Sequence, residues 1–455
     1  MFSLLSVTSV LNSIISVLLA ILVLLIMITV HEFGHYIVGK LFKFKINEFA
    51  IGMGPAIIKK TNKKTGEVFS VRALPLGGFC AFDGEDEDSQ NENSFNNKHP
   101  LKRIAVLVSG ALMNLIIGVL VLVLSVGIYG QLLLHVHDFK EDENYSGYSL
   151  VEGDVILKVE EKDIYMSTDV IDALNGKKQG DLVKISVQND GKTCDRVVKL
   201  RNDVTSLNLT DNLSAFTAIG VGTLAQITET TTISKFTNGD YILKFNDGVD
   251  YKTSTRIYDI KEVISKAKTL NAGDILSFFI SSNGERKEIF VSITQDLSTF
   301  TDDAVLQHLG IKKSSLALNY SSQNVKFGFL ETLKRGFVYS FNVGTSIFRT
   351  LGQLLTGKIG LSAMGGPITT ITTTSSAIQA GGFNYFLEIL GFIGINLALF
   401  NLLPIPALDG SRVVFCIIEA IRKKPLNRKV EGVIHGVGLL VLLGFCVLVD
   451  VLQLL

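Results

Sequence analysis

The sequence predicts an α-helical polytopic membrane protein with two α+β domains inserted between its membrane spans. The chain has 455 residues, of which 47% are hydrophobic, and its mean hydropathy is +0.37. It is too apolar for an ordinary soluble protein, yet its 19% of charged residues is too many for a pure membrane bundle. The formal net charge of +0 argues against nucleic acid as a partner, because phosphate binding needs a basic face.

Four apolar stretches are long enough to cross a bilayer, which takes about 20 residues. They cover residues 9–36, 104–128, 385–408 and 432–452. A fifth stretch, 327–358, carries basic residues (Lys334, Arg335 and Arg349) among apolar ones and is typical of an amphipathic or interfacial helix. The sequence therefore predicts about four transmembrane helices.

Basic residues near the span ends indicate how these helices are oriented. The segment 40–103 holds 11 lysines and arginines, and six more lie between 408 and 432. Cytoplasmic loops carry such an excess of basic residues. We therefore expect both segments in the cytoplasm and the long region 129–384 outside it.

The region between the second and third spans contains an internal repeat. EGDVILKVEEKDI (152–164) recurs as NGDYILKFNDGVD (238–250), and QGDLVKISVQNDGK (179–192) recurs as AGDILSFFISSNGE (272–285). Each copy has a Gly-Asp turn, a strand, a helical pattern, a second Gly-Asp turn and a hairpin. This order resembles two PDZ domains, which would bind an extended peptide as an added strand. The alternative is a β-rich spacer that binds nothing.

The first span ends in the motif HEFGH, which places His31, Glu32 and His35 together. Residues four apart lie on one face of a helix, so the two histidines can share a cation. Glu32 is close enough to take a proton from a metal-bound water, as in the HExxH zinc hydrolases. The alternative is a pair of histidines that bond to backbone carbonyls or lipid headgroups. Ionisable groups inside a membrane are costly, however, and favour a functional interpretation.

A catalytic zinc usually takes three protein ligands and a water molecule. We expect the third ligand from NLALFNLLPIPALDGSR (396–412), in which Asp409 ends an apolar run. Pro404 and Pro406 break helical hydrogen bonding, which membranes tolerate where the backbone lines a cavity enclosed by protein. The predicted orientation puts Asp409 at the same membrane level as the two histidines.

HEFGH in the first span, NLLPIPALDG in a late span and the intervening repeats together resemble the site-2 protease family of intramembrane zinc metalloproteases. The form with two PDZ domains is similar to the bacterial branch that cleaves membrane-bound anti-sigma factors. The resemblance implies one catalytic Zn²⁺ bound by His31, His35 and Asp409. It also implies that Glu32 is the general base, and that Asn401 holds the substrate backbone or the developing oxyanion.

Three further stretches resemble elements of this family. FAIGMGP (49–55) and VFSVRALPLGGF (68–79) look like its membrane-associated β-hairpins on the cytoplasmic side, which would pair with an unwound substrate as an edge strand. SGALMN (109–114) is similar to its GPxxN element, with Ala111 where proline is usual. The resemblance implies substrate contacts at Gly77, Gly78, Asn114, Pro404 and Pro406.

The resemblance also implies an order of domains. It gives catalytic helices with the hairpin loop (1–134), two PDZ domains (135–213 and 214–300), a connecting region with the amphipathic helix (301–384), and the last two spans with the third metal ligand (385–455). The protein would be a multi-pass protein of the bacterial inner membrane, with extracytoplasmic PDZ domains and an active site towards the cytoplasm.

The implied activity is intramembrane cleavage of single-span membrane proteins, such as an anti-sigma factor or a remnant signal peptide. The PDZ pair would bind peptide termini and gate substrate entry. One alternative is a membrane-anchored peptide-binding scaffold without catalysis. Another is a metal transporter that uses the same three side chains. Transporter repeats lie among the spans, whereas this repeat lies outside them, which disfavours a transporter.

Overall fold

The computed structural model describes residues 7–85, 89–136, 146–204, 212–232, 234–246, 255–256, 259–282, 285–318, 320–357, 360–361 and 365–454. The chain forms two compact units. Unit 1 comprises Met1–Gln131 and Val325–Leu455, and unit 2 comprises Leu132–Asn324. Unit 1 contains the apolar stretches, and unit 2 contains the internal repeat.

Helices dominate unit 1 and strands dominate unit 2. The helices are α1 (Val7–Leu41), α2 (Pro100–Tyr129), α3 (Ser167–Leu174), α4 (Asn212–Ala218), α5 (Ile260–Ala267), α6 (Asp302–His308), α7 (Phe329–Leu355), α8 (Pro367–Asn401), α9 (Asp409–Arg422) and α10 (Arg428–Leu454). The strands are β1 (Ile46–Thr61), β2 (Val68–Phe82), β3 (Gln131–Val136), β4 (Val155–Val159), β5 (Lys162–Asp163), β6 (Leu182–Asn189), β7 (Lys192–Lys199), β8 (Thr223–Thr230), β9 (Tyr241–Asn246), β10 (Thr255–Arg256), β11 (Ile275–Ser282), β12 (Glu285–Ser292), β13 (Ile311–Leu318) and β14 (Tyr320–Val325).

Among the described residues, four helices are long and apolar enough to cross a membrane. They are Ile14–Leu41, Pro100–Tyr129, Gly382–Asn401 and Lys429–Leu452. This confirms the predicted number of membrane helices. Helix α7 lies within the stretch that was expected to be amphipathic, and it is not one of these four.

The third span ends earlier than the sequence predicts. Helix α8 stops at Asn401, so the predicted end at residue 408 is wrong. Pro404 and Pro406 have no amide hydrogen to donate, and the chain leaves the helix just before them. Asp409, expected at the end of the span, is instead the first residue of the separate helix α9.

Strands β1 and β2 form an antiparallel sheet after the first span and include both stretches expected to form hairpins. Phe49 of β1 pairs with both Cys80 and Phe69 of β2, which shows that the strands fold back on themselves. The aromatic side chains of Phe44, Phe49 and Phe82 pack in a buried cluster beside α1 and α2. This packing holds the last part of β2 next to the HEFGH motif, where Gly78 lies close to Glu32.

Within its described residues, unit 2 contains two sheets of six strands, and equivalent strands of the two sheets lie in equivalent positions. One sheet runs β7-β6-β4-β3-β14 with β5 on β4, and the other runs β12-β11-β9-β8-β13 with β10 on β9. Strands β13 and β14 lie beyond residue 300, in the region that the sequence assigned to a connection. Residues 247–250 and 283–284 of the repeated stretches lie outside the described residues.

The Gly-Asp pairs of the repeat form equivalent turns in both copies. Gly153, Gly180, Gly239 and Gly273 all have positive φ angles of 88–104°, which glycine adopts without steric cost. Each following aspartate accepts a hydrogen bond from a backbone N–H three residues earlier, at 2.8–2.9 Å. The repeated sequence is therefore a repeated turn with a local physical cause.

Glycines allow the membrane helices of unit 1 to approach one another closely. A β-carbon on Gly34 of α1 would collide with the backbone of Ser109 and Gly110 in α2. Gly118 of α2 faces Gly391 of α8, where an added β-carbon would lie 2.9 Å from the Gly391 carbonyl oxygen. Small residues at such crossings are a common means of association between membrane helices.

We expect Gly118→Ala to lower the thermal stability of the full-length protein. The added methyl group must push α2 from α8, and overpacking of this kind costs about 1–3 kcal/mol. The matched control is Gly444→Ala in α10, because no atom of the described residues lies within 4 Å of a β-carbon at that position. Thermal unfolding in detergent checks this prediction, and equal melting temperatures for the two variants would contradict it.

Candidate metal centre

The two histidines of HEFGH lie in the C-terminal part of α1, and each is 7% exposed. Their Nε2 atoms are 3.1 Å apart, because residues four apart share one helix face. The Nδ1 of His35 is 2.8 Å from the carbonyl oxygen of Val106 in α2. A carbonyl can only accept, so the proton of His35 is on Nδ1 and its Nε2 lone pair is available for a metal.

Asp409 meets these histidines from the start of α9. Its Oδ2 is 2.9 Å from His31 Nε2 and 3.4 Å from His35 Nε2. The loop 402–408 turns back over the first turn of α9, where the carbonyls of Leu402 and Leu403 touch Gly410. A side chain at Gly410 would not fit beneath them. The glycine of the LDG sequence thereby allows the carboxylate to reach α1.

The three side chains fit a zinc ion. Within the described residues, His31, His35 and Asp409 form a cluster whose possible ligand atoms all lie within 4.8 Å of one another. Tetrahedral zinc with bonds of about 2.0–2.1 Å places its ligand atoms about 3.3 Å apart. The observed separations of 2.9, 3.1 and 3.4 Å are close to that value. Two imidazoles and one carboxylate are also a donor set that zinc commonly takes.

Glu32 lies on the wall of a cavity next to this cluster. The cavity has a volume of about 350 Å³ and is also lined by His35, Asp409, Cys80 and Arg412. The backbone amide of Cys80 in β2 faces the Glu32 carboxylate. The expected base and two of the three expected ligands therefore border the same space.

Asn401, the last residue of α8, lies on the opposite side of the His31 ring. Its side-chain nitrogen is 3.4 Å from His31 Nδ1. When Nε2 of His31 faces a metal, Nδ1 carries the proton and needs an acceptor. Rotating the Asn401 amide group by 180° would place its oxygen there. The two orientations have nearly the same shape, so packing does not distinguish them. Asn401 is thus in hydrogen-bond reach of the His31 ring.

The glycines and the prolines that were expected to contact the substrate lie in different parts of the structure. Gly77 and Gly78 belong to the part of β2 beside Glu32, and Gly77 has a φ of +89°. Pro404 and Pro406 belong to the loop before Asp409, where Pro406 packs on Gly438 of α10. These two prolines shape the ligand loop and are not residues of the cavity wall beside Glu32.

Asn114 is fully buried in α2, and neither atom of its amide has a hydrogen-bond partner among the residues that the structure describes. It is four residues from Gly110 and shares its helix face. Gly110 borders the metal cluster, because a β-carbon there would lie 2.5 Å from His35 Nε2 and 2.8 Å from His31 Cε1. A buried amide without partners is unusual and is typical of a functional position.

Sequence reasoning did not identify Gly110, Val106 or His435 as parts of this site. Gly110 lies in the predicted SGALMN element, but only the structure shows that both imidazoles occupy the space above it. The Val106 contact is made by a backbone carbonyl, which no sequence pattern reports. His435 lies in the fourth apolar stretch, and only the structure shows that it bonds to the loop before Asp409.

Comparison with known proteins agrees with this geometry. Residues 19–445 match the family model described as peptidase family M50. The chain is 27% identical over 442 residues to the regulator of sigma E protease of Haemophilus influenzae, covering 93% of this chain and 94% of that protein. It is 27% identical to the zinc metalloprotease RasP of Geobacillus kaustophilus, with 92% of each chain covered, and 24% identical to that of Oceanobacillus iheyensis, with 93% and 95% covered. With a family match over nearly its whole length, the chain belongs to peptidase family M50, and it is a zinc metalloprotease of the site-2 type.

Proposed function

We propose that this protein is an intramembrane zinc metalloendopeptidase that cleaves single-span membrane proteins. The observation that carries the proposal is the meeting of His31, His35 and Asp409 beside Glu32, at the end of an apolar helix. The names of its relatives support proteolysis, and the four apolar helices support a site inside or near the bilayer.

In this proposal the two histidines and Asp409 hold one zinc ion through the atoms that face one another. When bound, zinc supplies a Lewis acid that polarises the scissile carbonyl and activates water. Glu32 takes the proton of the attacking water and passes it to the departing amine. Asn401 bonds to the substrate backbone or keeps the His31 ring in place, and its position at His31 Nδ1 supports the second role.

The substrate would bind as an extended strand beside β2. A helix must unwind before its amide bonds can be attacked, and an exposed sheet edge can take up the freed backbone groups. Gly78 borders Glu32, and neither Gly77 nor Gly78 has a side chain to block that edge. The buried amide of Asn114 would then bond to the substrate.

The apolar surface of the hairpin sheet supports contact with lipid or with an apolar substrate. Met53, Ile57, Ile58 and Leu74 are each 48–70% exposed. Apolar side chains exposed together on a monomer mark a binding surface or a membrane contact. The basic residues of 40–103 favour the cytoplasmic side of a bacterial inner membrane for this sheet.

The two sheets of unit 2 would be the PDZ pair, located outside the cytoplasm. Their common strand order and their equivalent Gly-Asp turns support two copies of one domain. We propose that this pair binds peptide termini and admits substrates whose outer domains have been trimmed. The name of one relative, a regulator of sigma E protease, favours an anti-sigma factor as the substrate.

Glu32→Gln tests the catalytic proposal. The amide cannot accept a proton but keeps the size of the side chain, so zinc content should remain while cleavage of a single-span reporter falls at least about 100-fold. Zinc content is measured on the purified protein, and cleavage is measured with the reporter in proteoliposomes.

The matched comparison is Asp409→Ala, which should lose both zinc and cleavage because it removes a ligand. Retained proteolysis by Glu32→Gln would end the assignment of the base. Undiminished zinc in Asp409→Ala would end the assignment of the ligand.

Removal of unit 2 tests the gating proposal. The deletion should run from 132 to 324, because cutting at residue 300 would leave β13 and β14 without their sheets. We expect the shortened enzyme to cleave intact and trimmed substrates at similar rates, whereas the full chain prefers the trimmed one. The two cleavage rates are measured in the same vesicles, and an unchanged preference would contradict gating by unit 2.

A further inference from the structure

The loop 402–408 determines where the Asp409 carboxylate lies. Four of its backbone N–H groups, those of Leu402, Leu403, Ile405 and Leu408, bond to carbonyls between residues 399 and 405. Pro404 and Pro406 have no N–H group. The remaining N–H, that of Ala407, bonds to a side chain from a different helix.

That side chain is His435 of α10. The Ala407 N–H donates to His435 Nδ1 at 3.1 Å. Ala407 has a φ of +84°, a backbone angle that residues other than glycine rarely adopt. Such a conformation persists only where the surrounding structure supports it. Because Nδ1 accepts this bond, His435 is neutral and carries its proton on Nε2.

Two further contacts hold α10 in place, one with the same loop and one with α9. Gly438 lies three residues after His435, on the same face of α10, and a β-carbon there would collide with Pro406. The His435 ring also meets the ring of Phe415 in α9 edge to face, with centroids 5.5 Å apart. His435 therefore contacts both the loop before Asp409 and the helix that Asp409 begins.

We propose that His435 is a positioning residue for the metal site, acting through Ala407 on Asp409. The last membrane helix thereby contributes to zinc binding without supplying a ligand. The bond keeps Ala407 at its positive φ angle, which keeps Asp409, two residues later, directed at the histidines of α1. This inference rests on the proposed role of Asp409 as a zinc ligand.

The test uses the full-length protein with His435→Asn and His435→Gln. The asparagine oxygen takes the place of Nδ1 and can accept the Ala407 bond, whereas the glutamine amide reaches the place of Nε2. We expect His435→Asn to hold zinc like the unchanged protein and His435→Gln to release it to a chelator about 10-fold faster or more, the usual cost of losing a partner that orients a ligand.

Hydrogen exchange of peptides covering 403–411, measured on zinc-free protein, provides a readout that does not depend on the metal. The Ala407 amide should exchange faster in His435→Gln and at the original rate in His435→Asn. Leu440→Ala is the control, because Leu440 lies on the same helix with its side chain 71% exposed. That variant should change neither zinc release nor exchange.

The inference is overturned if the two histidine variants behave alike in both measurements, or if exchange at Ala407 is the same in all proteins. Failure of the proposed function looks different. In that case the unchanged protein would not retain zinc, while exchange at Ala407 would still depend on the side chain at position 435.

Discussion

The proposed metal site depends on a close approach of α1, α2 and the loop before α9. Two imidazoles and a carboxylate lie within 3.4 Å of one another in a largely buried position. That arrangement is possible because Gly34 and Gly110 leave the helix crossing free of side chains, and because Gly410 lets the loop fold over α9. A methyl group at Gly110 would occupy the space of the His35 ring. The glycines are therefore part of the site, although none of them contacts a ligand by hydrogen bonding.

A second constraint is the fixed position of α9. Its first residue is Asp409, and Glu419 near its other end pairs with Arg103 at the start of α2, where both side chains are buried. Arg412, one turn after Asp409, pairs with Glu85 beside the hairpin sheet. Breaking either pair would leave a poorly solvated charge, so such pairs specify one position for the helix. The carboxylate that reaches α1 is thus carried by a helix fixed to α2 and to the hairpin region.

The sequence predicted the parts of the site that follow helical periodicity. The spacing of His31 and His35 was sufficient to place both on one face. The predicted orientation of the spans brought in Asp409, and the family resemblance brought in Asn401. The spacing could not show that the span ends at Asn401 or that Asp409 begins a new helix, because both depend on how the chain leaves α8 at the two prolines. The contacts of Gly110, Val106 and His435 come from other helices, and a single sequence contains no signal of such tertiary contacts.

In unit 2 the repeat predicted two similar folds, but the last strand of each sheet, β13 and β14, follows both repeats in sequence and has no repeated motif.

The most direct measurement of the central claim is X-ray absorption at the zinc edge of the full-length, zinc-loaded protein. Two imidazoles, one carboxylate and a water molecule should give four nitrogen or oxygen neighbours at about 2.0–2.1 Å, with multiple scattering from two rings. Scattering from sulfur at about 2.3 Å would place the zinc on a cysteine and contradict the account. A signal from fewer than two imidazole rings would contradict it equally, because His31 and His35 would then not share the ion.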